Sequence, residues 1–252
     1  MQDRHALITG AGSGIGAAIA RAVAQAGAAV SLVGRRPEPL AEVARGLARA
    51  LPIIADVTRE EDSAAMVEQA RRAHGPLDIV IANAGAADSA PLTRLDLAHW
   101  QRMLAVNLTG AFLTVKAALP DLKRPEAPLP RIVFIASSAG LKGYAYAAAY
   151  CAAKHGVVGL TRALGAELAP TSITVNAVCP GFTETPLLAA SLARIVAQTA
   201  RAEAEARAEL VRFNPQGRFV EPQEVAATVL FLLSASAQAI TGQAISVSGG
   251  ET

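Results

Sequence analysis

Tyr150 and Lys154 stand four residues apart. On a helix that spacing puts both side chains on one face. A phenol has an unperturbed pKa of about 10. A fixed ammonium beside it favours phenolate, which brings proton exchange with a substrate oxygen toward neutral pH. Lys154 is also long enough to reach ribose hydroxyls. Upstream, Ser137 closes an apolar run, Arg131 to Ala136, that reads as a strand. Ligand sites of parallel sheets lie at strand C-terminal ends. The Ser137 hydroxyl is therefore placed to hold a substrate oxygen, with Ser138 as the structural alternative. A YxxxK pair recurs by chance, so its meaning depends on the elements around it.

A second cluster points to what that pair would act beside. Thr9-Gly10-Ala11-Gly12-Ser13-Gly14-Ile15-Gly16 follows the first apolar run and opens the first helical stretch. Glycines at Gly10, Gly14 and Gly16 permit a tight turn and close approach of backbone to a pyrophosphate. The helix N-terminus that follows offers free N–H groups to the anion. The spacing departs from GxGxxG, with Ile15 where its third glycine would stand. The second apolar run ends Val33-Gly34-Arg35-Arg36. An NAD binder usually carries an acidic residue there for the ribose diol. Here Gly34 and two arginines take its place, and a guanidinium suits a 2′-phosphate. The expected cofactor is NADP, with NAD possible and Arg35 the main contact. Asp56 and Val57 close the third run, where an adenine edge would lie. Asp56 as a helix N-cap is the competing reading.

These residues need a scaffold, and the chain alternates short apolar runs with longer helical stretches. Strands are expected at Ala6–Thr9, Ala29–Val33, Pro52–Ala55, Leu77–Ala82, Arg131–Ala136, Ile173–Val178 and Ala244–Val247. Helices are expected at Ile15–Ala26, Leu40–Ala50, Glu60–His74, Leu97–Leu119, Tyr150–Leu168 and Gln223–Leu233. That is an α/β, doubly wound parallel sheet of Rossmann type, with helices on both faces and one domain over residues 1–252. One segment breaks the alternation. Leu187 to Phe213 reads as a helical insert, with Glu203 spaced to pair with Arg207, and as a substrate lid.

Composition limits the alternatives. In 252 residues, hydrophobic types make up 52% and aromatics only 4%, so the core is built from Ala, Val, Leu and Ile. A net charge of +2 with scattered Lys and Arg does not support nucleic-acid binding. Cys151 and Cys179 form no CxxC pair, and the four histidines are dispersed, so neither a disulfide framework nor a metal site is expected. The longest weakly polar stretch reads as Val225 to Ile240, shorter than a membrane span needs. With the first strand so near the start, a cytoplasmic protein is expected.

Taken together the motifs resemble the single-domain branch of the short-chain dehydrogenase/reductase family. The likeness rests on TGAGSGIG, Asn83 and Gly85 in Ala-Asn-Ala-Gly, Asn107 in Val-Asn-Leu, Ser137, YxxxK and Pro180-Gly181, in family order over essentially the whole chain. It implies Tyr150 as acid/base and Ser137 as the group that orients and polarises the carbonyl. Lys154 would lower the tyrosine pKa and bind the nicotinamide ribose, and Asn107 would hold a water linking Lys154 to solvent. Thr183 and Thr185 match the stretch that contacts the nicotinamide amide and phosphates. Two positions depart from the pattern: Ala82 replaces the first asparagine of Asn-Asn-Ala-Gly, and Ser13 stands where many NADP-using relatives have a basic residue. A homotetramer through Leu97–Leu119, Tyr150–Leu168 and the C-terminal strand region is also implied.

The stretches Lys154 to Gly159 and Asn176 to Phe182 are similar to ketoreductases of bacterial aromatic polyketide and β-ketoacyl pathways. That resemblance implies a 3-oxoacyl or polyketide thioester, linked to coenzyme A or a carrier protein, with Arg194, Arg201 and Arg207 available to a phosphate on the carrier. A free secondary alcohol, sugar or steroid-like ketone is the alternative substrate. The loop from Ala139 to Ala149, with Tyr144 and Tyr146, and the apolar residues Leu188, Leu192 and Val196 of the insert should line the substrate side. A non-catalytic nucleotide-sensing protein would need the glycine turn but not Asn107, Ser137, Tyr150 and Lys154 together.

Overall fold

The computed structural model describes residues 1–199 and 201–252. Seven strands form one parallel sheet: β1 His5–Thr9, β2 Ala29–Gly34, β3 Ala50–Ile54, β4 Ile79–Ala82, β5 Arg131–Ile135, β6 Thr174–Pro180 and β7 Ala244–Val247. Their spatial order is β3-β2-β1-β4-β5-β6-β7. The order reverses between β1 and β4, and that switch point opens a crevice beyond the strand C-termini. β1, β4, β5 and β6 are buried on every residue, which is why they read as unbroken apolar runs.

Helices cover both faces. On one, α1 (Gly14–Gln25), α2 (Pro37–Ala44) and α9 (Pro222–Leu233) pack with Ile8, Leu32, Ile79 and Val133. On the other, α3 (Glu60–His74), α5 (Gly110–Leu122) and α6 (Ala148–Leu168) enclose Leu7, Val33, Val80 and Phe134. Adjacent residues of one strand thus serve opposite cores.

Most ends fall within two residues of the sequence expectation, and two helices depart further. The helix expected at Leu40–Ala50 is α2, beginning at Pro37 and ending at Ala44. Pro37 presets the first helical φ, and Gly46 adopts φ 87° just past the end, so the chain turns and Ala50 already belongs to β3. The single helix expected at Leu97–Leu119 is α4 (Leu97–Leu104), a π turn (Ala105–Thr109) and α5. The stretch 97–122, and not the shorter run at 225–240, has the length and apolar composition of a membrane span. In the fold it lies between α3 and α6 and against β4.

The insert forms α7 (Pro186–Thr199) and α8 (Glu203–Val211), which share a small core of Leu188, Leu192, Ala206 and Phe219. The expected Glu203–Arg207 pair does not close it. Arg207 reaches Glu184 in the loop after β6 instead, a tertiary contact that the helical spacing did not reveal.

Candidate active site

The crevice at the switch point is a cleft of about 1520 Å³, beyond the roughly 300–1,000 Å³ that holds one small ligand. The residues expected to hold the cofactor and to do the chemistry all line it: Gly10, Ser13, Gly14, Ile15, Gly16, Arg35, Asp56, Val57, Asn83, Gly85, Asn107, Ser137, Tyr150, Lys154, Pro180, Gly181, Thr183 and Thr185. Of the insert residues expected on the substrate side, Leu188 lines it too, whereas Leu192 and Val196 pack into the insert's own small core.

The glycine turn forms one end. Gly10 and Gly14 have φ 66° and 52°, conformations that L side chains seldom adopt. A Cβ on Gly16 would come within 2.3 Å of the Gly10 carbonyl oxygen. Ser13 is the N-cap of α1 but makes no side-chain cap bond, and the first turn holds no acidic residue. The positive helix end is thus left for an external anion. Asn83 supports this turn from behind: its Nδ2 donates to the carbonyls of Thr9 (2.8 Å) and Gly10 (3.3 Å). The Thr9 hydroxyl accepts from the N–H groups of Asn83 and Ala84. Thr9 is a part the sequence reading missed, since it resembles any strand-terminal threonine.

At the end of β2, Arg35 and Arg36 are exposed at the cleft wall. Opposite them, the Asp56 carboxylate accepts from the Thr58 N–H and hydroxyl. These bonds hold its pKa below the usual value. Asp56 closes this local turn and is not the cap of α3, whose N-cap is Arg59. Gly turn, bare helix end, basic β2 terminus and cleft size together fit a nicotinamide dinucleotide.

The other end collects the chemistry. Tyr150 and Lys154 lie on the first turns of α6, with Lys154 Nζ 5.8 Å from the Tyr150 ring centroid. Lys154 is 4% exposed and donates to the Ile135 carbonyl at 2.9 Å. Burial lowers its pKa to about 8. The expected lowering of the tyrosine pKa by Lys154 is not what the protein alone displays. Burial raises the Tyr150 phenol, and the Ser137 hydroxyl acts against it by hydrogen bonding. Ser137 Oγ accepts from the Ala139 N–H at 3.1 Å, which leaves its own proton to donate. Ser138, the alternative, is tied to Tyr144 Oη at 2.7 Å.

Asn107 explains the π turn. Its Nδ2 donates to the Met103 carbonyl at 3.0 Å, the acceptor that its own backbone N–H would use in an α-helix. The same nitrogen donates to the Ala86 carbonyl, and Oδ1 accepts from the Ala86 N–H. Both amide hydrogens are therefore committed to the backbone. A water linking Lys154 to solvent would have to rest on main-chain groups freed by the π turn.

Three of the insert's cations are occupied. Arg194 donates to the Ala87 carbonyl at 2.8 Å and its Nε lies 3.7 Å from Asp88. Arg201 pairs with Glu209, and Arg207 with Glu184. Among the described residues no cluster of three His, Cys, Asp or Glu side chains is placed to hold a metal.

Comparison with known proteins agrees with this geometry. Residues 4–195 match the model of the family described as short chain dehydrogenase. The chain is 41% identical to cis-4-hydroxycyclohexanecarboxylate dehydrogenase of Sinomonas cyclohexanicum, over 99% of this chain and 97% of that one. A variant of actinorhodin polyketide ketoreductase crystallised with NADPH superposes with TM-score 0.94 at 39% identity, over 98% and 97% of the two chains. A 3-ketoacyl-(acyl-carrier-protein) reductase of Brucella melitensis with NADH gives TM-score 0.89 at 33% identity, over 99% and 98%. With the sheet order, the glycine turn and the Tyr150–Lys154 pair in one cleft, the chain belongs to the short chain dehydrogenase family and is an oxidoreductase.

Proposed function

We propose that this protein interconverts a ketone and a secondary alcohol with NADP(H) as its preferred cofactor. The observation that carries this reading is one cleft with an anion-accepting glycine turn at one end and Ser137, Tyr150 and Lys154 at the other. When bound, the nicotinamide supplies or accepts the hydride. Tyr150, kept protonated by burial, donates its phenolic proton to the carbonyl oxygen in the reducing direction. Ser137 donates a second hydrogen bond to the same oxygen, where negative charge develops. Lys154, anchored on the Ile135 carbonyl, holds the ribose and lies beside Tyr150 to assist its reprotonation. Asn107 keeps the helix open behind them. Arg35 and the absence of an acidic residue at Gly34 favour a 2′-phosphate.

For the substrate we propose a 3-oxoacyl or polyketide thioester. Likeness to the actinorhodin and acyl-carrier-protein reductases supports it. The insert 187–213 then acts as the lid that excludes water. A free ketone or alcohol is the second reading. It is favoured by the engagement within the protein of Arg194, Arg201 and Arg207, the three arginines expected to meet a carrier phosphate. Assembly as a homotetramer through the helices of 97–119 and 150–168 and the C-terminal strand region would cover Leu97 and Phe112, which are exposed in the single chain.

The test is oxidation of NADPH, and separately NADH, against β-ketoacyl thioesters and matched free ketones. Turnover confined to thioesters with NADPH supports the full reading. Turnover only with free ketones keeps the chemistry and removes the carrier. No turnover with any carbonyl overturns it.

A further inference from the structure

We propose that Glu251 is a positioning residue that turns Tyr144 into part of an aromatic wall for the ring of a cyclic ketone. This rests on the carbonyl-reduction reading. The Tyr144 hydroxyl donates to the Glu251 carboxylate and accepts from Ser138 Oγ. Its polar tip is thus used up, and it has no proton left for a substrate. What it offers the cleft is its ring face.

Two further rings complete that surface. Tyr144 meets Phe182 at 5.9 Å between centroids and Phe213 at 5.4 Å, and Phe182 meets Phe213 at 5.6 Å. The three come from separate places: the loop after β5, the loop after β6, and the end of the insert. All three line the same cleft as Tyr150. In a chain with only 4% aromatic residues, three rings in edge-on and tilted contact form a concentrated apolar surface.

Glu251 fixes it from beneath. Its side chain is 1% exposed, and Lys142 Nζ lies 3.1 Å from the carboxylate. The same ammonium lies 5.1 Å from the Tyr144 centroid and 5.4 Å from that of Phe213. One carboxylate therefore holds a hydroxyl and a cation that together clamp two of the three rings. Its second oxygen, Oε2, is buried without a partner, and a Cβ on Gly181 would come within 3.0 Å of it. The carboxylate is thus wedged under the Pro180-Gly181 turn. Burial and the neighbouring carboxylate hold the Tyr144 phenol above its ordinary value, so it remains a donor to Glu251.

The experiment compares wild type, Glu251→Ala, Glu251→Gln and Phe213→Leu with cyclohexanone and butanone as substrates. Glu251→Ala should lower the ratio of kcat/KM for cyclohexanone over butanone by about tenfold, mainly through KM. Glu251→Gln, which keeps an acceptor for Tyr144, should restore most of it. Phe213→Leu removes the third ring without touching the buried carboxylate. It should shift the ratio in the same direction even if Glu251→Ala does not fold. An unchanged ratio in Phe213→Leu and in folded Glu251→Ala overturns the wall. Cyclohexanol binding to the NADPH-loaded protein, a pair that cannot react, separates the two claims. Equal binding in wild type and Phe213→Leu overturns the wall, whereas absent turnover with both ketones and with β-ketoacyl thioesters overturns the reduction reading.

Discussion

Lys154 donates its ammonium to the Ile135 carbonyl at 2.9 Å while lying 5.8 Å from the centre of the Tyr150 ring. The lysine is therefore held by the end of β5, the strand that also presents Ser137. One strand end sets the distance between a buried cation, a phenol and a hydroxyl. That arrangement has a consequence for stability as well as for chemistry.

Lys154 is buried and its pKa falls from the usual 10.5 to about 8. Below pH 8 it is charged in both folded and unfolded chains, and the cost of burying the charge, about 3 kcal/mol, is present in full. Between pH 8 and 10.5 the unfolded chain binds more protons, so this cost is relieved and stability rises with pH. Lys154→Met should thus raise the melting temperature of the cofactor-free protein at pH 7 by about 6–12 °C while abolishing turnover. The gain should shrink as pH rises toward 10, as thermal melts across that range would record. A gain independent of pH would contradict the buried-charge account.

Arg35 is exposed at the cleft wall with Gly34 where a diol-binding carboxylate would stand. Arg35→Asp should lower the ratio of kcat/KM for NADPH over NADH by about 10- to 100-fold, the worth of a charge-assisted pair. Steady-state kinetics with both cofactors measures this. An unchanged ratio would move the 2′-phosphate to another group.

Gly16→Ala would place a methyl carbon 2.3 Å from the Gly10 carbonyl oxygen and 2.5 Å from Asn83 Nδ2. The turn must open and its Asn83 bonds must lengthen. Cofactor affinity should fall by at least about tenfold, as read by fluorescence titration with NADPH, while the far-UV spectrum is retained. Wild-type affinity would show that the turn does not seat the pyrophosphate.

Much of this was legible in the chain. Strands buried on both sides announce themselves as unbroken apolar runs, so the sheet was readable from runs such as Ala6–Thr9 and Arg131–Ala136. The glycine turn and the Tyr150–Lys154 pair were readable because their function depends on local spacing. Other features depended on contacts between distant residues. The break at Ala105–Thr109 arises because the Asn107 amide captures the Met103 carbonyl, and apolar periodicity runs straight through it. A mid-helix asparagine was the one available sign. The shift of α2 to Pro37–Ala44 was written in Pro37 and Gly46, which outweighed the apolar pattern further on. Tyr144 and Glu251 are 107 positions apart, and nothing local marks either as the other's partner. The same is true of Arg207, which spacing pairs with Glu203 and the fold pairs with Glu184.

The central claim is that Tyr150 transfers the proton in a nicotinamide-dependent carbonyl reduction. Tyr150→Phe removes one hydroxyl and keeps the ring. The decisive measurement is single-turnover oxidation of bound NADPH by a ketone that the wild type reduces, with NADPH affinity determined on the same samples. The account predicts a rate lower by about 10²–10⁴-fold, the scale of general-acid catalysis, with affinity within about threefold of wild type. A rate close to wild type would contradict the assignment of Tyr150 as the acid.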